Sequence, residues 1–484
     1  MPAAPTAPEP PADAAAVAVA AKEDKKGKAE VPFFSFEALR QGVQLVFFGA
    51  PGDRPWFNLF LIFVPLAIIS ENIRPAWPAG ATFVLALLAM LPLAERLGFT
   101  TEELAEHVNE TLAGLMNASM GNAPELIIAI FALKDGLIRV VQVSLLGSIL
   151  SNLLLVLGTG LLVGGLYNKT QTFKNTTSTT SAGMMLTAMF GLTMPTVLSA
   201  SNTVVSDSSV LLLSRIASLL MLGLYATYLV FQLKTHQHLF EDPEEEEEVG
   251  TTLTSAASAV DVTESVTPAA AKAVVEEDAS VPRPRRSSKA PTEEGKEIPA
   301  SLVAAPSGIV EKKEEVVVEE EEEEEIHLTL YGSLIWLAAI TALVAYVSEL
   351  LVGSIEGASA SWGLSSAFIS CILLPVAGNA AEHASAIIFA AKNRLDVCFG
   401  IAVGSATQIA MFGIPLLVII GWIWDKPMSL DFEPFEVFTV VLSVIISGFI
   451  MLDGRSHYMQ GTLLLAAYGI VAAAFGVHKG HHDE

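Results

Sequence analysis

The pentapeptide GNAPE at Gly121–Glu125 returns in the second half of the chain as GNAAE at Gly378–Glu382. The two copies are 257 residues apart (121 to 378), and the dipeptide at Gly147–Ser148 is repeated at the same offset as Gly404–Ser405. Two separate pieces in one register indicate an internal duplication. Duplicated apolar segments that are interrupted by glycine and proline are typical of membrane transporters. The repeat therefore predicts two related halves that share one site.

Composition places both halves in a membrane. The chain has 484 residues, 52% of them hydrophobic, and a mean hydropathy of +0.52. A water-soluble domain would have no place to bury so much apolar surface. Apolar segments near the ~20 residues needed to cross a bilayer recur along the chain. Eleven spans are predicted: Asn58–Ser70, Ala79–Pro92, Glu103–Leu133, Val143–Leu166, Ala182–Ala200, Val210–Leu233, Leu330–Val352, Phe368–Ala391, Phe399–Trp424, Val437–Met451 and Gly461–Phe475.

The number of spans predicts how the halves are related. If Asn58–Ser70 is peripheral, five spans remain in each half, and an odd number forces the two copies into opposite orientations. The predicted fold is therefore an all-α integral membrane protein with about eleven transmembrane helices. It has one peripheral helix and two inverted five-helix repeats, each with a broken helix at its motif. Glu125 and Glu382 should then meet near the middle of the bilayer.

Polar segments set the domain boundaries. Of the net charge of −25, most lies between Glu241 and Ile326, where 25 acidic residues face 8 basic ones. Such a composition does not bury enough apolar area to fold by itself. The predicted organisation is a disordered tail and pre-membrane segment (1–56), the peripheral helix and first repeat (57–240), an acidic disordered linker (241–326), the second repeat (327–476) and a short tail (477–484). The lysines of the first tail favour a cytosolic N-terminus and linker.

The motif helices contain the residues best suited to bind a cation. Asn122 with Glu125, and Asn379 with Glu382, predict an amide oxygen beside a carboxylate on one helical face. Broken helices also free backbone carbonyls, which membranes tolerate where they line a cavity. A carboxyl at the centre of a membrane helix costs ~2.5 kcal/mol or more, which favours a functional role over a structural one. An all-oxygen set with two carboxylates is what Ca²⁺ prefers.

Polar residues one helix further along belong to the same candidate site. Ser148, Ser405 and Gln408 are expected to complete the cation shell or to position its waters. The alternative interpretation is that these are polar residues at helix-packing interfaces, which are common in membrane proteins.

Proton binding is predicted at the same place. Two facing carboxylates repel each other when no cation lies between them, which favours proton uptake by Glu125 or Glu382. His383 follows Glu382 directly, whereas the matching residue of the first half is Leu126. An imidazole that breaks the symmetry beside the site predicts a role in proton coupling. The alternative is a neutral buried histidine that donates one hydrogen bond.

Further acidic residues are candidates for an entry path or a gate. Glu102, Glu106 and Glu110 have the spacing of one helix face, which leads toward the first motif. Glu95 and Glu349 lie near the ends of the spans that precede the two motif helices. For the first group, a solvated helix face at the membrane edge is the alternative interpretation.

Together these stretches resemble the cation/proton exchanger (CAX) family of the Ca²⁺/cation antiporter superfamily. The resemblance rests on Gly121–Glu125, on Gly378–His383, on Pro92–Arg96 (PLAER) and on the acidic segment between the halves. It implies an oligomeric protein of eleven helices that moves cytosolic Ca²⁺ into an acidic, vacuole-like organelle in exchange for protons, without a cofactor. Its expected partners are Ca²⁺, protons and the lipid bilayer, not nucleic acid.

Other functions are weighed against this resemblance. A Na⁺/Ca²⁺ exchanger of the same superfamily is the nearest alternative, although that branch usually has Thr and Ser at the motif positions of Asn122, Ala123, Asn379 and Ala380. A membrane receptor or scaffold is an alternative of another class, but it leaves two membrane glutamates unexplained. No phosphate-binding or nucleophile motif stands out, so the sequence predicts a secondary active transporter and not an enzyme.

Overall fold

The structure is a computed structural model that describes residues 57–72, 77–173, 175–201, 206–237 and 328–478, together with Val43. The predicted N-terminal tail, the acidic linker and nearly all of the C-terminal tail lie outside the described residues. The domain boundaries drawn from the sequence therefore stay predictions.

The described residues form helices almost throughout. A 3₁₀ turn at Phe57–Ile62 leads into the first of them. They are numbered here α1 (Phe63–Asn72), α2 (Ala79–Ala105), α3 (Glu110–Met120), α4 (Ala123–Lys134), α5 (Ile138–Tyr167), α6 (Asn175–Ala200), α7 (Asp207–Thr235), α8 (Leu330–Trp362), α9 (Ser366–Gly378), α10 (Ala380–Ala391), α11 (Leu395–Ile423), α12 (Pro434–Met451) and α13 (Tyr458–Val477). Two short antiparallel strands, β1 (Gln171–Thr172) and β2 (Arg455–Ser456), pair the α5–α6 and α12–α13 connections.

The predicted all-α membrane fold is confirmed, but the count of eleven spans is not. Among the described residues, eight helices are long and apolar enough to cross a bilayer, and a ninth span results if α9 and α10, bent by 55°, count as one. The eight are α2, α5, α6, α7, α8, α11, α12 and α13. The segment Asn58–Asn72 is apolar but shorter than a span.

Several predicted spans have the wrong ends; the one predicted at Leu330–Val352, for example, continues to Trp362. The span predicted at Ala79–Pro92 continues to Ala105 with Pro92 inside the helix. It continues because the charge that follows is neutralised in place: the buried Arg96 lies 3.0 Å from Glu95 Oε2, and its Nη2 donates to Asn58 Oδ1 at 2.6 Å. The span predicted at Glu103–Leu133 is three pieces, namely the end of α2, then α3, then α4.

The first helices of the two halves run antiparallel, as inverted repeats require. Gly80 at the start of α2 lies against Trp362 at the end of α8. At their other ends, the Leu328 N–H donates to Glu103 Oε2 at 2.8 Å, and the Leu328 carbonyl accepts from His107 Nε2 at 2.7 Å. We call this end of the molecule, where α7 ends and α8 begins, the insert face, and the other end the opposite face.

Candidate cation site

Both motifs lie at breaks between paired helices. Met120 ends α3 and Ala123 begins α4, and Gly378 ends α9 just before Ala380 begins α10. Each break puts a motif glutamate, Glu125 or Glu382, into the first turn of a new helix. The first turn carries unpaired backbone N–H groups and the positive end of the helix dipole, which stabilise a carboxylate there.

The motif asparagines reach across to the opposite half. Ser405 Oγ donates to Asn122 Oδ1 at 2.8 Å, and Ser148 Oγ donates to Asn379 Oδ1 at 3.1 Å. These two bonds are equivalent under the 257-residue offset, so the duplication seen in the sequence is also a duplication of contacts. Asn122 Nδ2 makes one further bond, to Gln408 Oε1 at 2.7 Å. All five side chains are therefore brought into one buried cluster.

The two glutamates meet at this cluster. The Glu125 carboxylate lies against Gly378 of the opposite motif, and a Cβ at that position would be only 2.6 Å from Glu125 Oε1. Glu382 lies beside Ser405 and close enough to Glu125 for their charges to repel. The Oε2 atoms of both glutamates are buried and have no hydrogen-bond partner among the described residues. A buried carboxylate oxygen without a partner calls for a cation or a proton.

Asn152 belongs to this cluster and was missed by sequence reasoning. Its Nδ2 donates to Ser405 Oγ at 2.9 Å, and the side chain also lies beside Glu382. Its Oδ1 is buried and has no hydrogen-bond partner among the described residues. The only signal in the sequence was a lone amide in an apolar run, and the equivalent residue of the second half is Ile409.

A π-turn accompanies Asn152 in α5. This turn, Ser151–Val156, has a counterpart in α11 at Ile409–Gly413, which is nearly the same position under the offset. π-Turns inside α-helices are frequent at functional sites, because they re-aim neighbouring side chains.

The donor set fits a hard divalent cation. It offers two carboxylates, amide oxygens of Asn122, Asn379 and Asn152, and serine hydroxyls, all of which are ligands that Ca²⁺ accepts. Among the described residues, no group of three or more His, Cys, Asp or Glu side chains is placed to hold a metal. A cation bound at this site would therefore be held by two acidic groups and by neutral oxygens.

His383 lies at the edge of the cluster. Its Nε2 is 2.7 Å from Thr159 Oγ1, and the Thr159 hydroxyl also reaches the Leu155 carbonyl at 2.8 Å. An imidazole N–H that donates to Thr159 Oγ1 satisfies all three groups. The described contacts thus tie His383 to α5, and its role in proton coupling stays a prediction.

The predicted entry and gate residues lie apart from one another. Glu102 is in the last turn of α2 and Glu106 directly follows that helix, and both are exposed at the insert face. The prediction that they share one helix face with Glu110 is wrong, because α2 ends before Glu110 begins α3. Glu349 lies 3.8 Å from Lys134 Nζ, at the end of α4.

Comparison with known proteins identifies the family. The family model described as "Sodium/calcium exchanger protein" matches residues 79–234 and 332–477. The chain is 40% identical to vacuolar cation/proton exchanger 2 of Arabidopsis thaliana over 430 residues, which is 88% of this chain and 82% of that protein. It is also 40% identical to vacuolar cation/proton exchanger 3 of Oryza sativa subsp. japonica over 424 residues, 87% of this chain and 85% of that protein.

Solved structures agree with these relatives. The structure of native YfkE covers 87% of this chain and 100% of its own, with a TM-score of 0.62 and 30% identity. The H⁺/Ca²⁺ exchanger CAX has a TM-score of 0.56 at 13% identity, covers 87% of this chain and 91% of its own, and supports the fold alone. The resemblance to cation/proton exchangers predicted from the motifs is confirmed. The chain belongs to the sodium/calcium exchanger protein family.

Proposed function

We propose that this protein is a secondary active antiporter that exchanges Ca²⁺ for protons across a membrane by alternating access. One observation carries the proposal: Glu125 Oε2 and Glu382 Oε2 are buried without a hydrogen-bond partner among the described residues, in a cluster to which both inverted halves contribute. The relatives named as vacuolar cation/proton exchangers support the same reaction.

Exchange follows from competition for the two carboxylates. A Ca²⁺ ion between Glu125 and Glu382 neutralises both charges, and protons do the same one at a time. Two charged glutamates without a bound cation or proton are costly at membrane depth. The protein therefore changes the face to which the site opens only when the site holds metal or protons. Each species thus displaces the other, which couples their movements in opposite directions.

The surrounding polar residues have two roles in this proposal. Asn122, Asn379 and Asn152 offer amide oxygens to the ion, while Ser148, Ser405 and Gln408 hold those amides through the bonds described above. Water completes the shell, since Ca²⁺ accepts about six to eight oxygens. His383, which follows Glu382 in α10 and contacts Thr159, assists proton exchange there.

The setting proposed for this exchange is the membrane of a vacuole or another acidic organelle. The insert face lies toward the cytosol, so that Glu102 and Glu106 meet cytosolic Ca²⁺ on its way in. The names of the relatives support the location, and the lysines near the N-terminus support the orientation. Assembly into a homo-oligomer is part of the same proposal.

Flux measurements test the proposal directly. The purified full chain is placed in sealed vesicles with an acidic interior, and Ca²⁺ uptake is followed before and after an ionophore collapses the pH gradient. Uptake that requires the gradient supports proton exchange. Uptake driven equally well by an imposed Na⁺ gradient, with no response to pH, would contradict it and indicate Na⁺/Ca²⁺ exchange.

A further inference from the structure

The two inverted halves are packed differently around equivalent glycines. A Cβ on Gly147 of α5 would lie 2.7 Å from the Cα of Cys371, so the backbones of α5 and α9 are in direct contact. Gly404 of α11 is the equivalent of Gly147, yet a Cβ placed there meets no heavy atom within 4 Å among the described residues. The equivalent of Cys371 is Gly114 on α3, and α3 is not against α11.

Burial of the facing helices shows the same difference. On α9, Ile369 and Ile372 are 0% and 6% exposed. Their equivalents on α3, Leu112 and Leu115, are 42% and 40% exposed. Residues of the same apolar type at matching positions are therefore covered in one half and uncovered in the other. The helix α9 is closed on α5, and α3 is separated from α11.

The separation places an opening at the insert face. The helix α3 begins near that face, directly after the His107–Leu328 contact. The opening agrees with the state of the two motif helices: Ala123, Pro124 and Glu125 at the start of α4 are buried, while their equivalents at the start of α10 are partly exposed. The start of α10, which carries Glu382, is thus more exposed than the start of α4.

Gly114 already has a neighbour in this arrangement. Leu233, in the π-turn Phe231–Thr235 that ends α7, puts its Cδ2 2.7 Å from where a Cβ on Gly114 would lie. This leucine lies a few residues before the acidic insert, and Leu328 is anchored to Glu103 and His107 where the chain returns. The described residues that flank the insert, Leu233 and Leu328, therefore contact α3 and the chain just before it.

We propose that Gly114 packs against Leu233 when the insert face is open and against Gly404 when it is closed. In the open state, the side chain of Leu233 holds α3 away from α11. The inference rests on the proposed exchange function. In the closed arrangement Gly114 meets Gly404 as Cys371 meets Gly147 here, while the Gly147–Cys371 contact separates at the opposite face. Gly147 lets the backbone of Cys371 approach closely here, and glycine at both 114 and 404 leaves room for the equivalent contact between α3 and α11.

A matched pair of substitutions tests this directly. Gly147→Ala clashes with the Cys371 backbone only in the present state, whereas Gly404→Ala fits the present state and blocks the other. The equilibrium between the two states is followed by labelling full-length protein in nanodiscs with a membrane-impermeant maleimide. The reporter cysteines are Leu115→Cys at the insert face and Ile372→Cys at the opposite face. Protein without a reporter measures the background from the buried Cys371 and Cys398.

The two alanines are expected to move the reporters in opposite directions. Gly147→Ala lowers labelling at position 115 and raises it at 372, and Gly404→Ala suppresses labelling at 372, each by about threefold or more. If both alanine substitutions changed labelling in the same direction, or if Leu115→Cys were not labelled in any background, the two alternative contacts of Gly114 would be refuted.

The role of Leu233 is tested separately. Leu233→Ala is expected to lower labelling at position 115 about threefold, because α3 is freed to reach Gly404. Leu220→Ala, an exposed leucine on the same helix, is the control and leaves labelling unchanged. Equal effects of Leu233→Ala and Leu220→Ala on labelling would show that Leu233 does not hold α3 away from α11. If the two reporters shifted in opposite directions but the protein showed no proton-driven Ca²⁺ uptake, the alternative contacts of Gly114 would be supported and the proposed exchange reaction would be refuted.

Discussion

Single residues decide what the site binds. The two motif glutamates are surrounded by side chains that bond to one another, and the buried oxygen acceptors of the cluster left without a partner among the described residues are Glu125 Oε2, Glu382 Oε2 and Asn152 Oδ1. These oxygens have no water-exposed alternative. A cation can contact all three oxygens and neutralise the two carboxylates, whereas a neutral ligand leaves both negative charges buried.

Removing either motif charge should stop transport. Glu125→Gln and Glu382→Gln keep the shape of the side chain and lose the charge, so we expect Ca²⁺ uptake in vesicles to fall on the order of a hundredfold or more. Glu356→Gln is the matched control, because Glu356 is exposed on α8. Normal uptake by either motif variant in folded protein would refute the site.

The motif asparagines should differ in their effect. Asn122 bonds to the side chains of both Ser405 and Gln408, whereas Asn379 bonds to Ser148. Asn122→Ala is therefore expected to raise the apparent KM for Ca²⁺ about tenfold and Asn379→Ala about threefold, which corresponds to the loss of one or two hydrogen bonds with a ligand oxygen. Initial uptake rates over a series of Ca²⁺ concentrations check the order. Unchanged affinity in both variants would make these amides structural.

His383 should affect coupling more than affinity. His383→Ala removes an imidazole beside Glu382 and leaves the proposed ligands in place, so we expect a changed pH dependence or cation selectivity with a similar KM at fixed pH. Thr159→Val is the informative companion, since it removes only the partner of the imidazole. A pH–rate profile and a selectivity series identical to those of the wild type would assign His383 a structural role.

At the scale of helices, the structure depends on buried charge that is paired locally. The guanidinium of Arg96 allows α2 to continue past Pro92, because Glu95 and Asn58 both reach it. This contact also ties the turn before α1 to the first repeat. The charged pair explains why a reading of apolar runs ended the span too early.

Loss of the Asn58 contact should loosen the first repeat. Asn58→Ala removes the acceptor 2.6 Å from Arg96 Nη2, and a buried donor that loses its partner costs about 1–3 kcal/mol. We expect a lower Tm in detergent. Asn72→Ala on α1 is the control, because Asn72 is exposed and donates to the Ile68 carbonyl of its own helix. Equal Tm values would show that Arg96 is held without Asn58.

At the scale of the whole molecule, the two halves form the site jointly and the acidic insert joins them. The described residues that flank the insert, at the end of α7 and at Leu328, attach to the membrane body through contacts of their own. Among the described residues, the cluster at the motifs is formed by side chains of the two repeats.

Proton-driven transport should therefore survive removal of the insert's centre. Deletion of 248–319 is expected to retain pH-dependent Ca²⁺ uptake within about threefold of the full chain, because no site residue is removed. The same deletion combined with Glu125→Gln controls for leak. Complete loss of uptake by a folded deletion protein would make the insert part of the transport machinery.

Much of this protein was determined by its sequence alone. The repeated motif, the apolar segments and the odd number of spans in each half predicted an all-helical membrane fold with inverted repeats, and the residue types predicted a cluster of Asn122, Ser148, Asn379, Ser405 and Gln408 around two glutamates. These features follow from local chemistry, since helix breakers, hydropathy and oxygen donors act where they stand in the chain.

Tertiary structure decided the features that depend on distant contacts. It brought Asn152 to Glu382, extended α2 past Pro92 through Asn58 and Arg96, and closed α9 on α5 while leaving α3 away from α11. A duplicated sequence specifies both halves with nearly the same local preferences, so it does not state which half is closed. That choice is made by packing between helices far apart in the chain, and the proposed alternative arrangement exchanges these long-range contacts between the two halves.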